Sequence, residues 1–68
     1  GHTVVPIEVK YKKLKKPEIS RSFRNFLSKY RPTKAYVINL SLKDETKIDN
    51  TTIFTIPYYE LFLSSFSE

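Results

Sequence analysis

The feature of the sequence that most restricts its fold is a nearly continuous apolar run, Ala-Tyr-Val-Ile-Asn-Leu at residues 35–40. A short uninterrupted run rich in β-branched residues is typical of a strand that is buried on both faces. The chain has 68 residues and no cysteine, so no disulfide can brace this strand. The core therefore has to come from the aromatic residues and the Val, Ile and Leu side chains.

A second strand is predicted before this run, at residues 3–11. Pro6 lacks a backbone N–H, so the strand should lie at the edge of a sheet or pair only beyond that residue. Glu8 and Lys10 share one face of the strand. The other face is apolar by the strand period of two and carries Val5, Ile7, Val9 and Tyr11.

An amphipathic helix is predicted between the two strands. Pro17 suits the first helical position, and Pro32 ends the helix because the residue before a proline is disfavoured in the α conformation. The apolar stripe recurs at helical spacing at Ile19, Phe23, Phe26, Leu27 and Tyr30. A strand, a helix and a strand in this order predict a βαβ unit with parallel strands and a right-handed crossover.

The second half of the chain predicts a polar loop at 41–50, a strand at 51–56 and a helix that opens at Pro57. This loop is long for a hairpin and short for a crossover, so the orientation of the strand stays open, with antiparallel favoured. The inward side chains of the last helix are expected to be Tyr58, Leu61, Phe62 and Phe66. The predicted fold class is α/β, a small β-α-β-β-α unit.

Several kinds of chemistry are excluded by what the sequence lacks. His2 is the only histidine, so a Ser-His or Cys-His nucleophile has no base, and Gly1 is the only glycine, so there is no phosphate-binding loop. These two residues resemble the scar of a cleaved tag, which leaves residues 3–68 as a single excised domain. No apolar run approaches the roughly 20 residues that a membrane span needs, so we expect a cytoplasmic protein with no membrane partner.

The charge of the chain is divided unevenly. Residues 1–34 hold ten Lys and Arg against two Glu, a balance of +8, whereas residues 35–68 have a balance of −3. Such a basic cluster indicates sequence-independent binding to nucleic acid phosphates, and it is equally consistent with a solvated lysine loop that keeps a sheet edge soluble. The candidate nucleic-acid-binding residues are Lys12, Lys13, Lys15, Lys16, Arg21 and Arg24.

The pair Glu8-x-Lys10 is the one motif with possible catalytic chemistry. Residues two apart in a strand project from the same face, which places a carboxylate beside an ammonium group. A carboxylate can hold a divalent ion that polarises a phosphate, and a lysine can orient water and offset developing charge. On spacing alone the pair is more simply explained as a solvated ion pair, worth a few tenths of a kcal/mol.

The order of several short motifs adds a resemblance. The run Val-Pro-Ile-Glu-Val-Lys-Tyr at 5–11 is similar to the third core strand of the PD-(D/E)xK nuclease superfamily. The runs that follow it resemble the C-terminal, restriction-endonuclease-like domain of an archaeal and bacterial set of AAA+ ATPases. They are Phe-Arg-Asn-Phe-Leu-Ser-Lys-Tyr at 23–30, Pro-Thr-Lys-Ala-Tyr-Val-Ile at 32–38 and Ile-Pro-Tyr-Tyr-Glu-Leu at 56–61.

This resemblance implies a partial restriction-endonuclease-like sheet with Glu8 and Lys10 as catalytic residues and Glu8 as a metal ligand. The superfamily places a further acidic residue on the preceding strand, which this chain lacks, so its active site is expected to be vestigial or incomplete. The resemblance also implies Mg²⁺ in the parent domain and ATP in the parent motor, with no cofactor in the fragment.

The partners implied are DNA and an upstream ATPase domain. We also expect a weak homodimer through an exposed strand edge. The leading functional hypothesis is a DNA-binding domain that is not catalytic as this fragment. The alternative is a non-catalytic interaction domain that docks on the ATPase or on another protein.

Overall fold

The computed structural model describes residues 4–63 of the protein, apart from the side chains of residues 62 and 63. Four strands and two helices are formed there. They are β1 (Ile7–Val9), α1 (Arg21–Tyr30), β2 (Lys34–Asn39), β3 (Asp44–Ile48), β4 (Thr51–Pro57) and α2 (Glu60–Leu63). In this part of the chain no helix has the length and apolar character required to cross a membrane.

The strands form one mixed sheet in the order β1-β2-β4-β3. β1, β2 and β4 are parallel, and β3 is antiparallel to β4. The predicted α/β class is confirmed, as are the parallel strands of the β1-α1-β2 unit. The strand predicted at 3–11 is formed only at Ile7–Val9, after Pro6, and it lies at the edge of the sheet as predicted. The apolar run forms β2, in which Ala35, Val37, Ile38 and Asn39 are buried.

Two expectations for the segment after β2 are wrong. Residues 41–50 are not a loop throughout, because Asp44–Ile48 forms β3. The favoured antiparallel orientation of the following strand is also wrong, since β4 runs parallel to β2. Both errors have the same cause: β3 carries the chain back along the sheet, and a two-residue turn at Asp49 and Asn50 returns it between β2 and β3. Asp49 adopts a φ of 53° there, a left-handed conformation that Asp tolerates.

Helix α1 begins later than Pro17 and ends where predicted. Ser20 is the N-cap, and its hydroxyl oxygen accepts a hydrogen bond from the backbone N–H of Phe23 at 3.1 Å. At the other end Arg31 has a φ of 47°, and its N–H donates to the carbonyl of Leu27 at 2.9 Å. The chain therefore leaves the helix one residue before Pro32.

The helix predicted near the C-terminus is formed, but it begins later in the chain than predicted. Pro57 is the last residue of β4, and α2 begins three residues later at Glu60. Tyr58 does not pack inward as predicted, because half of its surface is exposed. Leu61 is half-buried. Phe66 and the side chain of Phe62 lie outside the described residues.

The core lies between α1 and one face of the sheet. Phe23 and Leu27 of the predicted helical stripe are buried there, whereas Tyr30 of the same stripe is 57 % exposed. A residue outside the regular elements, Leu14, is also buried in this core with 5 % exposure. The sheet contributes Ala35, Val37 and Ile53.

The opposite side of the sheet is an apolar surface, called here the open face and defined by Ile7, Val9, Tyr36 and Phe54. The register places the first residue of β1 beside Tyr36, which in turn lies beside Phe54. The last two rings stack with their centroids 5.3 Å apart. Ile7 is 59 % exposed and Val9 is 49 % exposed, so the apolar side of β1 does not face the helix.

Candidate functional site

Glu8 holds the start of helix α1. One carboxylate oxygen, Oε1, accepts a hydrogen bond from the backbone N–H of Ser20 at 3.1 Å, and Oε2 accepts one from the Ser20 hydroxyl. The same hydroxyl oxygen accepts a hydrogen bond from the N–H of Phe23, so Ser20 links the Glu8 carboxylate to the first turn of the helix. A negative charge at this position complements the partial positive charge of the helix N-terminus. This arrangement gives Glu8 a structural role, which is to stabilise the start of α1.

Lys10 is the first residue after β1, and it lines a groove with Val9, Tyr11 and Ile38. Its backbone N–H continues the parallel ladder and donates to the carbonyl of Ile38 at 2.8 Å. Among the described residues the ammonium group forms no ion pair with Glu8. The structure thus does not join the side chains of the two predicted catalytic residues, and they line different grooves.

The described residues do not fit a divalent metal ion at Glu8. Both of its carboxylate oxygens already accept hydrogen bonds from Ser20. Within residues 4–63, side chains included only as far as 61, no group of three or more His, Cys, Asp or Glu could hold a metal ion. Glu8 as a metal ligand therefore stays a prediction for a longer protein that would supply further carboxylates.

Removing the Glu8–Ser20 contact is expected to destabilise the domain measurably. We expect Ser20→Ala to lower the free energy of unfolding by about 1 kcal/mol, as for other N-cap losses. In a double-mutant cycle with Glu8→Gln, measured by urea denaturation, the coupling energy should be on the order of 1 kcal/mol. Ser28→Ala, at an exposed position of the same helix, is the matched control. Additive effects of the two substitutions would show that the carboxylate does not act through the cap.

The lysines after β1 belong to a segment that is fixed to the domain, called here the basic segment (residues 12–16). Leu14 is buried in the middle of it, and the carbonyl of Lys12 accepts a hydrogen bond from the N–H of Leu40 at 3.1 Å. The Lys12 ammonium lies 3.1 Å from Glu18. The remaining three lysines of the segment are exposed at positions 13, 15 and 16.

Arg21 and Arg24, the two arginines predicted to bind nucleic acid, are exposed on α1. A third arginine, Arg31, lines one groove together with Arg24. Arg24 lines a groove with residues 17–19 and the sheet, and it also lines a second groove of about 250 Å³ beside the β3–β4 turn. Arg31 and Asp49 line that second groove as well. Arg31 was not predicted as a site residue, although it follows Arg24 by seven positions, the spacing of two helical turns.

A second residue that sequence reasoning missed is Asn39, which is 1 % exposed at the end of β2. Its Oδ1 accepts from the backbone N–H groups of Ser41 at 2.9 Å and Leu42 at 2.6 Å. Its Nδ2 donates to the carbonyls of Leu42 at 2.9 Å and Ile56 at 3.1 Å. One side chain therefore closes the loop after β2 and ties it to β4.

The fold and these surfaces define a small mixed α/β domain with one basic edge and one apolar face. Residues 1–59 match the family described as a domain of unknown function, DUF4143. Because the match covers most of the chain, the protein belongs to this family. No curated protein and no solved structure matches the chain significantly.

Proposed function

We propose that this chain is the C-terminal domain of an AAA+ ATPase and that it binds DNA without cleaving it. The proposal combines the restriction-endonuclease-like order of its motifs with the concentration of positive charge in the first half of the chain. The cytoplasm is the location we propose for the protein. The ATP-binding motor, and any Mg²⁺ used for nuclease chemistry, would belong to other parts of the parent protein.

The observation that carries the proposal is the anchoring of the basic segment. A flexible lysine loop loses conformational entropy when it binds a polyanion, and this loss opposes binding. In this domain the burial of Leu14 and the hydrogen bond at Lys12 already fix the backbone of the segment. Its exposed ammonium groups can therefore approach successive phosphates at a smaller entropic cost.

The positive charge of the basic segment, most of it not paired with carboxylates, favours contact with phosphates. Lys13, Lys15 and Lys16 form no ion pair with another described residue, whereas Lys12 is paired with Glu18. Each phosphate that a lysine neutralises releases counterions, and this makes binding strong at low salt and weak at high salt. We therefore assign the main contacts to the three unpaired lysines, with Arg21 and Arg24 on the adjoining helix as secondary contacts.

Charge reversal of the basic segment is expected to weaken DNA binding at least tenfold. The test variant is Lys13→Glu/Lys15→Glu/Lys16→Glu, measured by fluorescence anisotropy with a 20-base-pair duplex at two salt concentrations. For the unsubstituted chain we expect a dissociation constant on the order of 10⁻⁴ to 10⁻⁶ M that rises steeply with salt. For the variant we expect at least tenfold weaker binding and a salt slope that is smaller by about 3.

The matched control is Lys29→Glu/Lys34→Glu/Lys47→Glu, which changes the net charge equally at three exposed positions outside the segment. It should retain most of the binding. Equal losses in the two variants would show that only net charge matters. No binding of the unsubstituted chain at 50 mM salt, or binding that is insensitive to salt, would contradict the proposal.

The alternative, a protein-interaction domain, is favoured by a different observation. The open face presents Ile7 and Val9 to solvent beside the stacked pair of Tyr36 and Phe54. Contiguous exposed apolar residues mark protein-binding surfaces. On this alternative the lysines only keep the domain soluble, so the charge reversal would leave binding to the ATPase or another protein unchanged.

A further inference from the structure

We infer that β1 is a self-complementary edge at which two copies of this chain pair antiparallel, with Val9 of one copy opposite Val9 of the other. This pairing would join two four-stranded sheets into one of eight strands. The inference is independent of DNA binding, because it rests on the backbone and side chains of β1 and not on the basic segment.

The outer edge of β1 has unused hydrogen-bonding groups. On the inner side, the N–H of Tyr36 donates to the carbonyl of Pro6 at 3.0 Å, and the N–H of Lys10 donates to Ile38. Backbone groups of successive residues in a strand alternate in direction, so the N–H and C=O of Ile7 and Val9 point away from β2. In the part of the chain that the structure describes, β1 pairs with β2 alone, and no strand lies on the side of these groups.

Pro6 does not weaken this outer edge. Its carbonyl points toward β2, and its nitrogen lies on that same side of the strand. The N–H that proline lacks is therefore missing from the inner ladder, where pairing is already complete from Ile7 onward. Pro6 therefore leaves the outer donors of Ile7 and Val9 available.

Charge selects the register of the pairing. A two-fold pairing centred on Glu8 would place the two Glu8 carboxylates opposite each other, which is unfavourable. A pairing centred on Val9 places Glu8 of each copy opposite Lys10 of the other, if the strand alternation continues one residue beyond β1 as the strands pair. Opposite charges directly across two strands stabilise the pair, and this register creates two such contacts by symmetry.

The apolar side of β1 supports the same register. Ile7 of one copy then lies opposite Tyr11 of the other, and the two Val9 side chains are adjacent. In the single chain Ile7 is 59 % exposed, Tyr11 is 87 % exposed and Val9 is 49 % exposed. Pairing would cover part of this surface and extend the open face across both copies, which adds hydrophobic stabilisation to the backbone hydrogen bonds.

The test uses charge exchange in the 68-residue chain, followed by sedimentation equilibrium over a range of concentrations. The unsubstituted chain should show a monomer–dimer equilibrium. Lys10→Glu should raise the dimer dissociation constant by about tenfold or more, because it places like charges opposite each other twice. Lys47→Glu, with the same change of net charge at an exposed position of β3 on the opposite edge of the sheet, should leave the dimer unchanged.

Mixing two variants provides the decisive measurement. Glu8→Lys alone should also be monomeric, whereas an equimolar mixture with Lys10→Glu should form a heterodimer in which every opposed pair is again of opposite sign. Since Glu8 also supports the helix cap, circular dichroism has to show that each variant is folded, and Lys10→Glu tests the register even if Glu8→Lys is unfolded. A strictly monomeric unsubstituted chain, or a dimer equally stable in Lys10→Glu and Lys47→Glu, would overturn the inference.

Discussion

Replacing Leu14 with alanine is expected to lower the free energy of unfolding by about 2–5 kcal/mol, the range for a buried leucine. Leu14 is 5 % exposed and belongs to the core cluster with Phe23 and Val37. A domain of this size has a total stability of roughly 3–10 kcal/mol, so the loss would unfold a large fraction of the molecules. Urea denaturation followed by circular dichroism measures this change.

Two further variants separate the packing of Leu14 from a general effect of altering the segment. Leu14→Met keeps the volume approximately constant and should cost less than about 1.5 kcal/mol. Tyr11→Ala removes a larger side chain that is 87 % exposed, and it should change stability by less than about 0.5 kcal/mol. If Leu14→Ala were as mild as Tyr11→Ala, the basic segment would not be anchored in the core.

This anchoring also connects the core with the proposed DNA contact. The carbonyl of Lys12 accepts a hydrogen bond from Leu40 on one side of the leucine, and Ile19 packs against the core on the other. Loss of the leucine side chain would leave the segment held at its ends only. The affinity for DNA should then fall even under conditions in which the variant remains folded, because ordering the lysines would again oppose binding.

The sequence was sufficient to predict the elements whose residues carry a strong apolar pattern. β2 and the buried side of α1 are of this kind, since Val37, Phe23 and Leu27 occupy positions that only burial explains. β3 was missed because it is an edge strand with a mostly polar sequence. Its alternation of half-buried Thr46 and Ile48 with exposed residues is present but includes only one strongly apolar side chain.

The start of α1 was misplaced because two helix-start signals compete within four residues. Pro17 has the preferred geometry of a first helical residue, whereas Ser20 can cap the helix with its side chain. The cap prevails here because Glu8, twelve positions earlier in the chain, binds both the N–H and the hydroxyl of Ser20. A contact between residues so distant in sequence cannot be read from local patterns.

The difference between local patterns and distant contacts also limits what the Glu8-x-Lys10 pattern can predict. Its spacing predicts that the two side chains share a face of one strand, but only Glu8 belongs to β1. The pattern cannot show that Ser20 occupies the carboxylate, nor that the opposite face of β1 remains open to solvent. Both depend on the path of the chain between β1 and α1.

Replacing Asn39 with alanine is expected to destabilise the domain by about 3 kcal/mol or more. The side chain is 1 % exposed and makes four hydrogen bonds, which join Ser41, Leu42 and Ile56 around the end of β2. Alanine would leave two backbone N–H groups and two carbonyls without these partners in a partly buried region. Each unsatisfied buried group costs about 1–3 kcal/mol unless water replaces the missing partner.

Asn39→Asp tests which half of the amide matters. Aspartate keeps an acceptor for the N–H groups of Ser41 and Leu42, but it directs a second oxygen toward the carbonyls of Leu42 and Ile56, which repel it. We therefore expect a loss of stability comparable to that of Asn39→Ala in thermal and urea denaturation at neutral pH.

Asn25→Ala is the matched control, since it makes the same chemical change at an exposed position of α1, where alanine favours the helix. It should be neutral or slightly stabilising. If Asn39→Ala were equally mild, water would have to replace the amide at the end of β2, and the loop to β3 would be held by β3–β4 pairing alone. A large loss for Asn39→Ala would instead show that one buried amide fixes the path on which the chain turns back to form the edge strand.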